Sequence, residues 1–66
     1  MSDLTFENHA TIVLMRPNTD RGDAWIDEHL AEDRMEWNGA VAIEHRDIED
    51  ILVGAMGDGL QVEFST

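Results

Sequence analysis

Four apolar residues in a row, Ile12-Val13-Leu14-Met15, put apolar side chains on both faces of any strand they form. Such a strand needs cover above and below, which predicts a central position in a sheet. Pro17 withholds a backbone donor and ends the run. A layered domain must form around it, and 66 residues suffice for one such domain. At that size folding buries about 60% of the surface the unfolded chain exposes. No cysteine is present to staple it, which excludes disulfides, thiolate zinc sites and cysteine nucleophiles together. A reducing compartment is the natural reading.

The other apolar residues fall into periodic segments, so a fold is expected despite the acidity. Thr19 is placed to cap a helix running to about Leu30, with Asp20 and Asp23 in its first turn. At about 100° per residue, Trp25, Ile26, His29 and Leu30 gather on one side, and Asp20, Asp23, Asp27 and Glu28 on the other. Residues 31–36 continue the acid into a loop or frayed helix end, and Asn38-Gly39 marks a turn. Val41 and Ile43 alternate with Ala40 and Ala42 in a second strand ending at Glu44. A second helix over residues 46–56 carries Ile48, Ile51, Leu52, Ala55 and Met56 on one stripe, with Gly57 placed as a left-handed stop. Leu60, Val62 and Phe64 alternate with Gln61 and Glu63 in a third strand. Leu4 and Phe6 alternate too, so residues 3–7 form either a short edge strand or a loosely held arm. The expected fold is a single two-layer α/β (α+β) domain over residues 1–66. Its small three- to four-stranded sheet carries two amphipathic helices on one face, in the order (β)βαβαβ.

Fifteen Asp and Glu stand against four Arg and no Lys, a formal net charge of −11. That field repels nucleic acid and anionic membrane and attracts basic surfaces. Three readings stand side by side: solubility, adaptation to a salty cytoplasm, or acids arranged to occupy a basic groove on a partner. No segment approaches the roughly 20 apolar residues of a membrane span, and Met1-Ser2-Asp3 lacks the positive region of a signal peptide. The expected location is the cytoplasm.

A search for catalytic chemistry returns little. The hydroxyls of Ser2, Thr5, Thr11, Thr19, Ser65 and Thr66 are mostly terminal or better used as a cap, and no Gly-x-Ser-x-Gly elbow exists. Gly54, Gly57 and Gly59 follow a helix where a phosphate loop would precede one. His29 reads as a packed core residue, His45 as a junction residue orienting the second helix, and His9 as part of a turn. Asp27-Glu28 and Glu49-Asp50 read as solvated pairs, not an acid/base couple with separated pKa values. Arg16, Arg21, Arg34 and Arg46 are scattered among acids, so no basic face reads nucleic acid directly. No enzyme, cofactor or metal site is expected, and the chain is expected to be a monomer.

What remains is a binding surface. Asp20, Asp23, Asp27, Glu28, Glu32, Asp33 and Glu36 form the candidate contact set. On one helical stripe, acids three or four residues apart are separated by about 4.5–6 Å of rise, the order of the phosphate spacing along a nucleic-acid strand. Such a row can satisfy lysines and arginines that hold a phosphate backbone, although acids spaced this way also line most solvated helices. Trp37 could anchor a partner or lid the core, and Val53 lies opposite the core stripe of the second helix. An interaction module using an apolar patch, or a salt-adapted acidic structural protein, are the alternatives to mimicry.

The stretch Trp37-Asn38-Gly39-Ala40-Val41-Ala42-Ile43-Glu44-His45-Arg46, preceded by Ile12-Val13-Leu14-Met15 and followed by the second helix, resembles short phage and prophage proteins over roughly residues 11–62. Such sets include anti-CRISPR proteins, and the chain is similar to the small acidic inhibitors of multi-subunit type I effectors. The resemblance implies a stoichiometric inhibitor in the host cytoplasm, docked on the effector subunit that reads the motif beside the target. There it would exclude DNA from a cationic channel without any chemistry.

Overall fold

The structure, a computed structural model, describes residues 2–30 and 34–65. Its elements are β1 (Leu4–His9), β2 (Ile12–Pro17), α1 (Asp20–His29), β3 (Glu36–Trp37), β4 (Ala40–Glu44), α2 (His45–Gly57) and β5 (Val62–Ser65). The order is ββαββαβ, and the five-stranded sheet runs β3-β4-β2-β1-β5. The β1–β5 pair is parallel and the other three pairs are antiparallel. The two-layer α/β class holds, with more strands than the three or four expected.

β2 is central, as its doubly apolar run requires. β1 is no edge strand or arm: it lies between β2 and β5. The β1–β2 hairpin turns through Ala10, whose φ of 61° is left-handed. Ala is an uncommon residue there, and the turn expected at His9 begins one residue later. The β3–β4 hairpin has the expected turn, with φ of 51° at Asn38 and 79° at Gly39. Positive φ at both central residues is the pattern that matches strand twist in a two-residue loop.

Alternation sorts the side chains. Leu4 and Phe6 of β1, Val13 and Met15 of β2, and Val41 and Ile43 of β4 form one buried cluster with Trp25 and Ile26 of α1, Ala55 of α2 and Leu60. Ile48, Ile51 and Leu52 pack against it. Both helices therefore cover the same face. Among the described residues no helix covers the opposite face, and Leu14 points there: it is 2% exposed yet stands outside that cluster.

Helix ends follow local chemistry. The Thr19 hydroxyl accepts from Gly22 N and caps α1 as expected. α2 ends in a Schellman motif, with Leu60 N bonded to Ala55 O and Gly59 N to Met56 O. The left-handed residue is Gly59, at φ 86°, and not Gly57, which stays helical. Met56, placed on the core stripe by its spacing, is exposed, whereas Ala55 in the same last turn is fully buried in the core. Phe64 is also exposed, although its ring stays 5.5 Å from that of Phe6. β5 is an edge strand, so little lies over its outer end.

Candidate interaction surfaces

The outward stripe of α1 carries Asp20, Asp23 and Asp27, with Glu28 beside them, all exposed. Trp25 and Ile26 fix this orientation by entering the core, so the carboxylates have no option but solvent. Asp20 and Asp23 sit in the first turn, where unpaired amides favour negative charge.

The expected contact set does not stay together. Arg34 donates to Asp27 at 2.8 Å and bridges to Glu36 at 3.0 Å, tying β3 to α1 and neutralising part of the row. Glu36 is a strand residue, not part of an acidic loop. Asp20, Asp23 and Glu28 form no ion pair among the described residues, and Glu32 and Asp33 lie outside those residues. Trp37, 57% exposed, is cross-strand from Ala40, on the sheet face turned away from α1. It and Val53, on the outer side of α2, therefore belong to opposite sides of the molecule and cannot form one patch.

Sequence reasoning missed a second cluster beside α1. Trp25 Nε1 donates to Asp58 Oδ2 at 2.8 Å, and His29 Nε2 lies 3.4 Å from the same oxygen. The His29 ring stacks on Trp25 with centroids 4.4 Å apart, and its Nδ1 donates to the Trp25 carbonyl at 2.9 Å. Arg21 donates to the carbonyls of Asp58 and Gly59. His29 is thus a half-exposed clamp on the turn after α2, not the core residue its helical position suggested. An open groove lined by Arg21, Trp25, Glu28, His29, Asp58 and Leu60 results.

His45 begins α2 and donates from Nε2 to the Ala10 carbonyl at 2.6 Å, joining the hairpin turn to the helix start, the junction role expected of it. His9 ends β1 instead of lying in a turn, 3.3 Å from Glu7. Hydrogen bonds from Arg16, then His9, hold the Glu7 carboxyl below its usual range, against the opposing effect of partial burial. Asp3 is held low by the Gln61 backbone amide, then by the Thr19 hydroxyl. Both shifts keep a carboxylate ionised, the reverse of what a general acid needs at neutral pH.

Among the described residues, no group of three or more His, Asp or Glu is placed to hold a metal ion. No helix among them is long and apolar enough to cross a membrane. No protein family, curated protein or solved structure is found to match this chain.

Proposed function

We propose that this protein is a non-catalytic binding domain whose α1 carboxylates occupy a cationic, nucleic-acid-binding surface on a partner and exclude the nucleic acid. The observation that carries this reading is the α1 stripe of Asp20, Asp23 and Asp27, extended by Glu28, on a helix anchored by Trp25 and Ile26. A helix rise of about 1.5 Å per residue spaces the three aspartates at roughly phosphate intervals, and the core fixes their direction before a partner arrives. Pre-set charges lose little freedom on docking, which favours affinity. Counterions released from both surfaces add to it. The likeness of residues 11–62 to phage inhibitors makes the motif-reading subunit of a type I CRISPR effector the first partner to test.

The test compares wild type with the Asp20→Asn, Asp23→Asn, Glu28→Gln variant as immobilised baits in host lysate, eluting with duplex DNA. The reading expects nucleic-acid-binding proteins that DNA displaces and that the variant fails to retain. Bound proteins indifferent to both DNA and the substitutions would overturn it.

A further inference from the structure

We infer that a second copy of this chain docks on the sheet face turned away from the described helices, giving a two-fold dimer centred on the side opposite Asp20 and Asp23 of α1. The face has an apolar centre. Leu14, Ile12 and Ala42 floor a groove of about 380 Å³, Met35 and Trp37 overhang it at 72% and 57% exposure, and Glu36, bridged to Arg34 at 3.0 Å, joins its lining. Two large apolar side chains standing open beside an apolar floor are the composition of a contact surface, not of a solvated one.

Charge selects the occupant. The carboxylates of α1 and α2 that face water, such as Asp23, Glu28 and Asp50, lie on the helix layer. On the sheet face, Glu7 is paired with Arg16 at 2.9 Å and Glu44 with Arg46 at 2.9 Å. Glu63, at the β5 edge, stands outside such a pair among the described residues. Arg16 also donates to the Asn38 carbonyl, stretching its side chain across the face. A chain of net charge −11 thus offers one nearly compensated surface, where another chain of the same charge meets least repulsion. A basic partner would be drawn to the helix layer instead. Two-fold contact also suits the chemistry: the apolar centre meets itself, and Glu7 and Arg16 of one copy can face Arg16 and Glu7 of the other.

The area is small. Strands of two to six residues, about 4.8 Å apart and rising about 3.4 Å per residue, present a face on the order of 400 Å² per copy, so the total stays under the roughly 1,000 Å² of a stable specific interface and the dimer is a weak, transient one. A dimer of this kind is weak at low ionic strength and strengthens with salt, because screening removes repulsion while apolar contact is favoured.

Sedimentation equilibrium of the full chain in low and molar salt tests this, with Met35→Ser, Trp37→Ser as the variant; both side chains are exposed, so the fold should survive, and circular dichroism checks it. The expected result is a monomer–dimer equilibrium that tightens with salt and is weakened at least about tenfold by the variant. A wild-type monomer at all salt concentrations, or a dimer indifferent to the two substitutions, overturns the inference. So does a monomer whose Trp37 indole NMR signal shifts when deca-arginine is added, since that puts a basic partner on this face.

Discussion

The Thr19 hydroxyl donates to Asp3 Oδ1 at 2.7 Å while accepting from Gly22 N, so one side chain closes the cap of α1 and ties it to the start of β1. The second carboxylate oxygen of Asp3 accepts from Gln61 N at 3.0 Å, and the Asp3 amide donates to the Gln61 carbonyl. A residue three positions from the N-terminus thereby joins the first strand, the first helix and the approach to the last strand.

Asp3 sets a pH dependence. Its folded pKa lies below its ordinary value of 3.8, so the stability it contributes is complete above that value and disappears as the pH falls through the lower folded one. Glu7 acts in the same sense below its ordinary 4.5. Urea unfolding should show Asp3→Asn clearly less stable than wild type at neutral pH, with the gap closing in acid well below 3.8. A gap that is constant with pH would contradict this.

Gly59 and Gly57 should respond to alanine with opposite signs. Gly59 is left-handed, and a Cβ there would sit 2.9 Å from Arg21 Nη2. A left-handed alanine costs about 1–2 kcal/mol before any displacement of Arg21. Gly57 is helical with open space around it, so Gly57→Ala should be neutral or stabilising by about 0.5–1 kcal/mol. Thermal unfolding of the two single variants checks the pair.

Gly22→Ala should be the most damaging glycine substitution. Its Cβ would fall 2.2 Å from the Asp3 carbonyl oxygen, and backbone cannot swing aside as a side-chain tip can. Overpacking of this kind costs about 1–3 kcal/mol or more. For a 66-residue domain with a total stability of about 3–10 kcal/mol, that is a large fraction. Chemical denaturation of the variant measures it.

Much of the architecture was legible because local pattern and final position agree. The doubly apolar Ile12–Met15 run predicted a central strand, and Thr19, Trp25 and Ile26 fixed the cap and buried side of α1. Asn38-Gly39 announced its turn. The misses have long-range causes. Ala10, an uncommon left-handed residue, makes the β1–β2 hairpin turn, so β1 looked optional. β3 consists of two residues held by β4, too few for any periodicity. His29 occupied the correct helical angle but was drawn outward to Asp58, 29 positions away, and Arg34 reaches both Asp27 and Glu36 by folding that no spacing rule encodes. The acids of α1 were readable as exposed. That Trp37 faces away from them was not, since strand alternation matters only once β3 is known to pair with β4.

Arg34 offers a test in which binding should improve. Its single positive charge is shared between Asp27 and Glu36, so Arg34→Gln makes that surface more negative by one unit. Affinity for a cationic partner should rise by a few-fold, in keeping with the roughly 0.2–1 kcal/mol of an exposed ion pair. Unfolding should become slightly easier, because the bridge from β3 to α1 is lost. Titration calorimetry and a thermal melt read the two effects.

The most direct measurement is the salt dependence of the dissociation constant for the DNA-displaceable partner, with wild type and the Asp20→Asn, Asp23→Asn, Glu28→Gln variant side by side. Wild-type binding should weaken steeply along a straight line in log Kd against log salt, and the variant should bind more weakly with a slope shallower by several units, about one for each carboxylate removed. Identical slopes and affinities for the two proteins would contradict the account.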